Sequence, residues 1–310
     1  MNNRIVILGI FVADATFRAE RAPVMGETVI GDSFSLSPGG KGSNQAVAAA
    51  KLGANVTFIS KLGFDPFADM AFKTWDEAGV DPQISQSADS YTGAANILVD
   101  KATGENAILV CPGAATTISE ADIEANADVI RSGSLFMTQL EQPVGTAMRA
   151  FEIARAAGIR TILNPAPATA LPDGMLSMCD FVTPNEHEAE MLTGMPVSSI
   201  DEARRVAQAF LSKGVGNAVI TLGERGAVVC SEGVDEHVPA FDYGAVVETT
   251  GAGDAFNGAF AAALVRGDDL VDAVRFGCAA ASVSVSRPGA ALSMPDLTEV
   301  ETFLRSRDGI

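Results

Sequence analysis

The chain has 310 residues, 47% of them hydrophobic and 19% charged, with 30 glycines. Folding at that length buries roughly three quarters of the unfolded surface, enough for one large α/β domain or two small ones, and the composition excludes wholesale disorder. Asp and Glu number 39 against 21 Lys and Arg, a net charge of −18, so neither nucleic acid nor an anionic membrane is expected as a partner. Any phosphorylated ligand must be held by local groups against that field.

Taken in chain order, the amino-terminal MNNRIVILGIFVADATF has a short apolar run that ends at Asp14, which reads as a buried first strand rather than a leader. Short β-branched runs at 4–10, 55–62, 133–140, 160–163, 181–183 and 217–221 predict buried strands. Between them, helical periodicity covers 43–52, 66–78, 143–157, 186–192 and 201–213. Pro66 and Pro143 suit a first helical turn, and Gly79, Gly158 and Gly214 stand where helices stop. This alternation predicts a mostly parallel sheet covered on both faces.

Two segments break the rhythm. Residues 27–37 alternate polar and apolar side chains, with Phe34 and Leu36 on one face, and 94–100 and 106–111 flank a turn at Thr103-Gly104, a hairpin signal. They predict a small β flap at the edge of the main domain. Small-residue helices over 254–266 and 269–285 are expected to pack closely. No linker divides the chain, and no run reaches the 18 apolar residues of a membrane span. Cys111, Cys179, Cys230 and Cys278 lie far apart without a C-x-x-C pair, and the histidines number two, His187 and His237. A zinc ribbon and a disulfide framework are thereby excluded, and a reducing, cytoplasmic setting is expected.

Three segments carry chemistry. SPGGKGSN (37–44) opens a helix: its glycines let a ligand approach the backbone, Lys41 supplies a charge and Asn44 an amide. Lys41 is followed by Gly42, so this is not a P-loop. ETTGAGDAFNG (248–258) places Gly251, Ala252 and Gly253 at a helix start, where backbone N–H groups and the helix dipole favour an anion. Asp254 beside such an anion site is repulsive unless it has work to do, and taking the proton from an incoming hydroxyl is such work. In TPNEHEAE (183–190), Asn185 and Glu188 form an N-x-x-E capping box, and the same pair can place an amide and a carboxylate near a metal–phosphate. Glu141, Asn164, Asn185 and Thr221 all stand at the ends of buried strands, the rim where open α/β sheets bind ligands.

Taken together, GGKGSNQAVAAAKLG and TTGAGDAFNGAF resemble the two signature regions of the ribokinase-like (pfkB) sugar kinase family, with NPAPA, TPNEHEAE and TLGERGAV in the family's order. The resemblance covers almost the whole chain. It implies a single αβα sandwich over 1–310 with a mostly parallel central sheet, and a small β-sheet lid built from about 12–38 and 92–111. It also implies ATP as phosphoryl donor, Mg²⁺, and transfer to a sugar's primary hydroxyl. D-ribose is the first expected acceptor; deoxyribose, a ketose, a sugar acid or a nucleoside is the alternative.

Carried over by residue, the resemblance makes Asp254 the catalytic base and Gly251, Ala252 and Gly253 the anion hole. Asp14, Gly40, Lys41, Asn44 and Glu141 match sugar contacts, with Asp254 among them. Asn185, Thr221, Gly223 and Gly253 match positions at the nucleotide phosphates, and Glu188 matches a Mg²⁺ position acting through water. Glu248, Thr250, Ser284, Arg287, Gly289 and Ser293 match a site for an activating monovalent cation, K⁺, partly through main-chain carbonyls. Lys41 or Arg287 is expected to offset charge on the transferred group. Three residues depart from the pattern. Val12 replaces a sugar-binding Asn, Glu248 an Asp at the cation site, and Cys278 a His near the adenine. The flap's exposed strand edges and Phe34 predict lid-to-lid homodimers. Two other readings compete. A nicotinamide dehydrogenase would need a glycine fingerprint after the first strand, where GIFVADA has Gly9 alone. An idle sugar-binding protein would have no need of Asp254.

Overall fold

The protein was analysed as a computed structural model, which describes residues 3–103 and 105–308; Gly104 of the expected turn lies outside the described residues. The amino-terminal part runs β1 (Arg4–Leu8), β2 (Val12–Ala19), β3 (Ser33–Gly39), α1 (Lys41–Lys51), β4 (Asn55–Leu62), α2 (Pro66–Ala78), β5 (Asp81–Gln86), β6 (Thr92–Asp100) and β7 (Asn106–Gly113). The middle holds α3 (Glu120–Ala125), α4 (Ala127–Arg131), β8 (Leu135–Thr138), α5 (Val144–Ala156), β9 (Arg160–Leu163), β10 (Phe181–Val182), α6 (Glu186–Thr193) and α7 (Ile200–Ser212). The rest is β11 (Asn217–Thr221), β12 (Ala227–Ser231), β13 (Val234–Val238), α8 (Ala252–Arg266), α9 (Leu270–Ser284) and α10 (Leu297–Asp308).

Nine strands form the main sheet in the order β13-β12-β11-β10-β9-β8-β1-β4-β5. Pairing is parallel from β5 to β11 and antiparallel at the β12 and β13 edge. Strand β1 shows why its sequence is an unbroken apolar run. Ile5 and Ile7 enter the core beneath α1, α2, α8 and α9, whereas Val6 and Leu8 enter the core beneath α3, α4 and α5. Both faces are buried, so no polar alternation is tolerated. The expected αβα sandwich is what forms.

The smaller sheet has the order β3-β2-β6-β7, with β2 and β6 parallel and the outer pairs antiparallel. It is the β-sheet lid. The chain leaves the main sheet after Leu8 and enters the smaller sheet at Val12, the start of β2. Residues 27–32 form no strand, and β3 begins at Ser33. Helix α2 begins and ends as its sequence dictates. Asp65 accepts N–H groups of Phe67 (3.1 Å) and Ala68 (3.0 Å), Pro66 occupies the first turn, and Gly79 closes the helix at φ +76°.

Candidate active site

Two helix starts face each other at the carboxyl ends of the central strands. Helix α1 starts from Gly40, at φ +88°, where an added Cβ would lie 2.5 Å from the Ile10 carbonyl oxygen. The turn therefore sits directly on the chain leaving β1, and only glycine fits there. Helix α8 starts from Gly251, at φ +81°, against Ala290. The two helices approach closely because Gly258 has no side chain: a Cβ there would come within 2.5 Å of the Ala48 Cβ. This approach carries Asn44 and Gln45 of α1 to Asp254 of α8.

Asp254 is buried, at 7% exposure. Its Oδ2 accepts from Asn44 Nδ2 at 2.9 Å and its Oδ1 from Gln45 Nε2 at 3.0 Å. Burial raises its pKa above the ordinary carboxylate value; the Lys41 charge and the Asn44 and Gln45 amides oppose that rise. Asn44 Oδ1 is buried with no partner within the protein, so an unmet acceptor stands beside the carboxylate.

Three more carboxylates belong to the same field. Asp14 lies on β2 against Gly39, where a Cβ would collide with its Oδ2 at 2.1 Å. Burial and then the charges of Asp254 and Glu248 push its pKa up to about 6. Glu141 accepts the Lys41 backbone N–H at 2.8 Å, and burial, outweighing the Lys41 charge, pushes its pKa up to about 7. Glu188 is held in a capping box: Asn185 N–H donates to its Oε2 (2.9 Å) and Glu188 N–H donates to Asn185 Oδ1 (2.8 Å). Burial raises its pKa too. Burial works against the Lys41 ammonium, but Asp254, Glu141 and Glu188 outweigh it and hold its pKa above the usual lysine value. One cation among four carboxylates leaves the pocket acidic.

The capping-box and ligand readings of Asn185 and Glu188 are thus not exclusive. Thr221 pairs with Asn185 across a short bridge, its N–H donating to the Pro184 carbonyl at 2.9 Å, and Gly223 follows at φ +54° with open space at its Cβ position. Among the three anion-hole positions, Ala252 N–H donates to Thr249 O at 3.2 Å, whereas Gly253 is exposed in the first turn of α8.

The cation-site positions are partly gathered. Glu248 Oε2 accepts the Gly289 N–H at 3.0 Å, and Glu248 N–H donates to Val285 O at 3.2 Å, so the two loops are clasped together. Ser293 Oγ donates to Ala290 O at 2.8 Å, and Ser284 O accepts the Arg287 N–H at 3.2 Å. Thr250 lies exposed in the same loop. The Arg287 guanidinium pairs with Glu299 on α10. Cys278 is buried in the core, where burial pushes its pKa to about 12.

Sequence reading passed over Gln45, Gln139 and Gly258. The available signal was a glutamine inside an apolar run, NQAVAAA and LFMTQL, where an unpaired amide would be costly.

A mostly parallel αβα sandwich with a lid, and a buried carboxylate at a glycine-started helix, define a phosphoryl-transfer fold of the sugar kinase type. Residues 2–297 match the profile described as pfkB family carbohydrate kinase, and the chain belongs to that family. The ribokinase of Staphylococcus aureus (strain COL) is 40% identical over 97% of this chain and 99% of its own length. The deoxyribokinase of Salmonella typhi is 37% identical over 97% of this chain and 98% of its own. Arabidopsis thaliana ribokinase, solved as a complex with ribose and ATP, superposes with a TM-score of 0.91 at 30% identity, covering 98% and 99% of the two chains.

Proposed function

We propose that the protein is an ATP-dependent sugar kinase that phosphorylates the primary hydroxyl of D-ribose to give ribose 5-phosphate. The observation that carries the reading is full-length likeness to ribokinases, one of them solved with ribose and ATP, in a chain that keeps Asp254 buried at the start of α8. In the mechanism, Asp254 takes the proton of the sugar's terminal hydroxyl through Oδ2, the oxygen shared with Asn44. The hydroxyl oxygen attacks the γ-phosphorus in line, the bond to the bridging oxygen breaks, and ADP leaves. The backbone at Gly251, Ala252 and Gly253 and the dipole of α8 stabilise the charge on the transferred group, and Ala252 N–H exchanges its long bond to Thr249 for that task. Lys41, between Glu141 and Asp254, balances charge at the acceptor. The lid closes over the sugar and excludes water.

Mg²⁺ fits the residues present. Among the described residues no three-carboxylate or histidine cluster could hold a metal by itself, yet Mg²⁺ is commonly held by one or two carboxylates, waters and substrate phosphates. Glu188 and Asn185 would take part through water, and the ion would neutralise the β- and γ-phosphates in an otherwise acidic pocket. K⁺ is proposed at the clasp of the 248–250 and 284–293 loops, held by the Glu248 carboxylate and by main-chain carbonyls. Activation by K⁺ tests that site. We also propose a homodimer through the lid. Phe34, Ile108, Leu109 and Val110 are exposed there, and a strictly monomeric light-scattering mass at micromolar concentration would overturn it.

A second acceptor, 2-deoxyribose, is favoured by one observation. Val12 stands on the same face of β2 as Asp14, one pleat repeat away, and cannot hydrogen-bond a hydroxyl. Its neighbours in register are Gly39 and Gly93, which offer no side chain either. ADP release with ATP and Mg²⁺, measured on ribose, deoxyribose, arabinose, fructose and adenosine with and without K⁺, decides the acceptor. Ribose is expected to give the highest kcat/KM; a clear preference for deoxyribose would make Val12 the specificity switch, and no turnover on any sugar would overturn the kinase reading.

A further inference from the structure

The amides around Asp254 form a one-way relay. Asn164 Nδ2 donates to the Thr183 carbonyl at 2.9 Å, so its Oδ1 must be the acceptor of the 3.0 Å bond from Gln45 Nε2. The same Gln45 Nε2 serves Asp254 Oδ1, which leaves Gln45 Oε1 to accept from Gln139 Nε2 at 2.5 Å. Gln139 is fixed in turn by glycines. Its Oε1 would lie 2.7 Å from a Cβ at either Gly9 or Gly42, and those two positions are themselves in close contact. That oxygen is buried with no hydrogen-bond partner. At its far end the network returns to α8: Thr183 Oγ1 donates to Asn257 Oδ1 at 2.6 Å, and Asn257 Nδ2 donates to Gly253 O at 2.8 Å. Gln45 and Gln139 are fully buried, so neither amide can exchange its partner for water.

We infer that Gln45, oriented by Gln139 in its slot between Gly9 and Gly42, is the positioning residue of the catalytic base: it ties down Asp254 Oδ1 and presents Oδ2 to the acceptor hydroxyl. The inference rests on the reading of Asp254 as base. An apolar side chain at position 45 would fill the same space in α1, but a buried glutamine with no acceptor would be destabilising. The bond also favours the ionised form of Asp254. The other charges facing Asp254 are the Lys41 ammonium at the start of α1, Asp14 on β2, Glu141 after β8 and Glu188 on α6. None of these contacts Gln45 through a hydrogen bond described above, so removing its amide leaves them in place.

The test is a double-mutant cycle between Gln45→Met and Asp254→Asn, read as kcat, sugar KM and the pH dependence of kcat. Loss of one hydrogen bond to a charged group should lower kcat roughly 10- to 100-fold in Gln45→Met. Sugar KM should stay within about 3-fold, because Gln45 touches no substrate. The acid limb of the kcat profile should move to higher pH. In the Asp254→Asn background the same replacement should cost less than about 2-fold. Equal losses in both backgrounds, or an unmoved acid limb, would overturn the inference and leave Gln45 a packing residue. Near wild-type turnover of Asp254→Asn alone would instead remove the base assignment, a failure separable from the first. Should Gln45→Met not fold, Gln139→Met, which touches Asp254 only through Gln45, is expected to give a smaller loss with the same shift of the acid limb; an unshifted limb there overturns the relay.

Discussion

Two kinds of helix start contrast in this protein, with α4 and α5, which start uncapped at Asn126 and Pro143, outside both. At α2, α3, α6, α7 and α9, the side chains of Asp65, Ser119, Asn185, Ser199 and Asp269 accept first-turn N–H groups. At α1 and α8 the residue preceding the helix, Gly40 or Gly251, is a glycine at positive φ with no side-chain cap. A cap satisfies one orphan donor and is worth about 1 kcal/mol, so α1 and α8 forgo that stabilisation. What they gain is an open helix start with N–H groups and a positive dipole end facing the pocket. The Lys41 N–H is claimed by Glu141, a site carboxylate from another loop. Helix α6 combines both modes, since its capping pair Asn185 and Glu188 faces the same pocket.

The sharpest way to break the contrast is at α8. Asp254→Asn should lower kcat by roughly 10²–10⁴-fold at neutral pH with the fold intact. Steady-state ADP release and a thermal melt check both parts, and turnover near that of the wild type would show that the helix start works without its carboxylate. Gly251→Ala tests the backbone instead. The new methyl would require positive φ and meet Ala290 at 3.0 Å, and displacing the turn by a fraction of an ångström to an ångström should cost kcat about 10- to 100-fold. Helix α2 supplies the control: Asp65→Ala should lower stability and leave kcat unchanged.

The pocket carboxylates sharpen the comparison through pH. Asp14 and Glu141, the proposed sugar contacts, have pKa values pushed up to about 6 and about 7, and as hydroxyl acceptors they act best when ionised. Sugar KM should therefore rise roughly tenfold between pH 8 and 5.5, below both values. Their effect on stability has the opposite sign. A carboxyl whose folded pKa is raised contributes stability below its unfolded value near 4, lost as pH rises through 6 to 7. The sugar-free protein should thus melt higher at pH 5.5 than at pH 8, and Glu141→Gln should raise Tm at pH 8 by about 2 °C while weakening sugar binding. Asp65 and Asp122, held below the usual carboxylate range chiefly by hydrogen bonds that outweigh burial, destabilise the fold only at lower pH. The two windows do not overlap. A Tm that falls steadily from pH 8 to 5.5 would contradict the assignment.

Legibility in the sequence followed the same division. Strands β4, β9 and β11 and helix α2 match their expected bounds residue for residue, because a doubly buried strand or a capped amphipathic helix leaves a strong periodic signal. Strands β5, β12 and β13 carried none: DPQISQ is half-polar with a proline, and the β12–β13 hairpin turns on Glu232-Gly233 between short runs. At the site, the glycine-started turns were legible because glycine and charge cluster there. Their support was not. Gln45 and Gln139 are separated by 94 residues, and nothing local says that one amide orients the other. Val12 falls at the start of the expected lid segment, but its pairing with Gly39 and Gly93 is set by strands distant in the chain and leaves no local signal.

The smallest effect comes from the most ordinary cap. Ser199 Oγ accepts the Glu202 N–H at 3.2 Å at the exposed start of α7, a helix whose buried face packs on β11 and β12. Replacing Ser199 with Ala removes that acceptor and should cost about 1 kcal/mol, a drop in Tm of about 2 °C. Neither kcat nor sugar KM should change, because α7 supplies no side chain to the pocket. Repeating the measurement with Ser in place of Gly40 adds a side chain at the other kind of helix start. There a cap would be expected to stabilise, yet the position needs φ +88° and stands against the Ile10 carbonyl. Gly40→Ser should therefore lower both Tm and sugar affinity. If it raised Tm without loss of affinity, the open start of α1 would be dispensable, and the contrast between capped and open helices would carry no function on the sugar side.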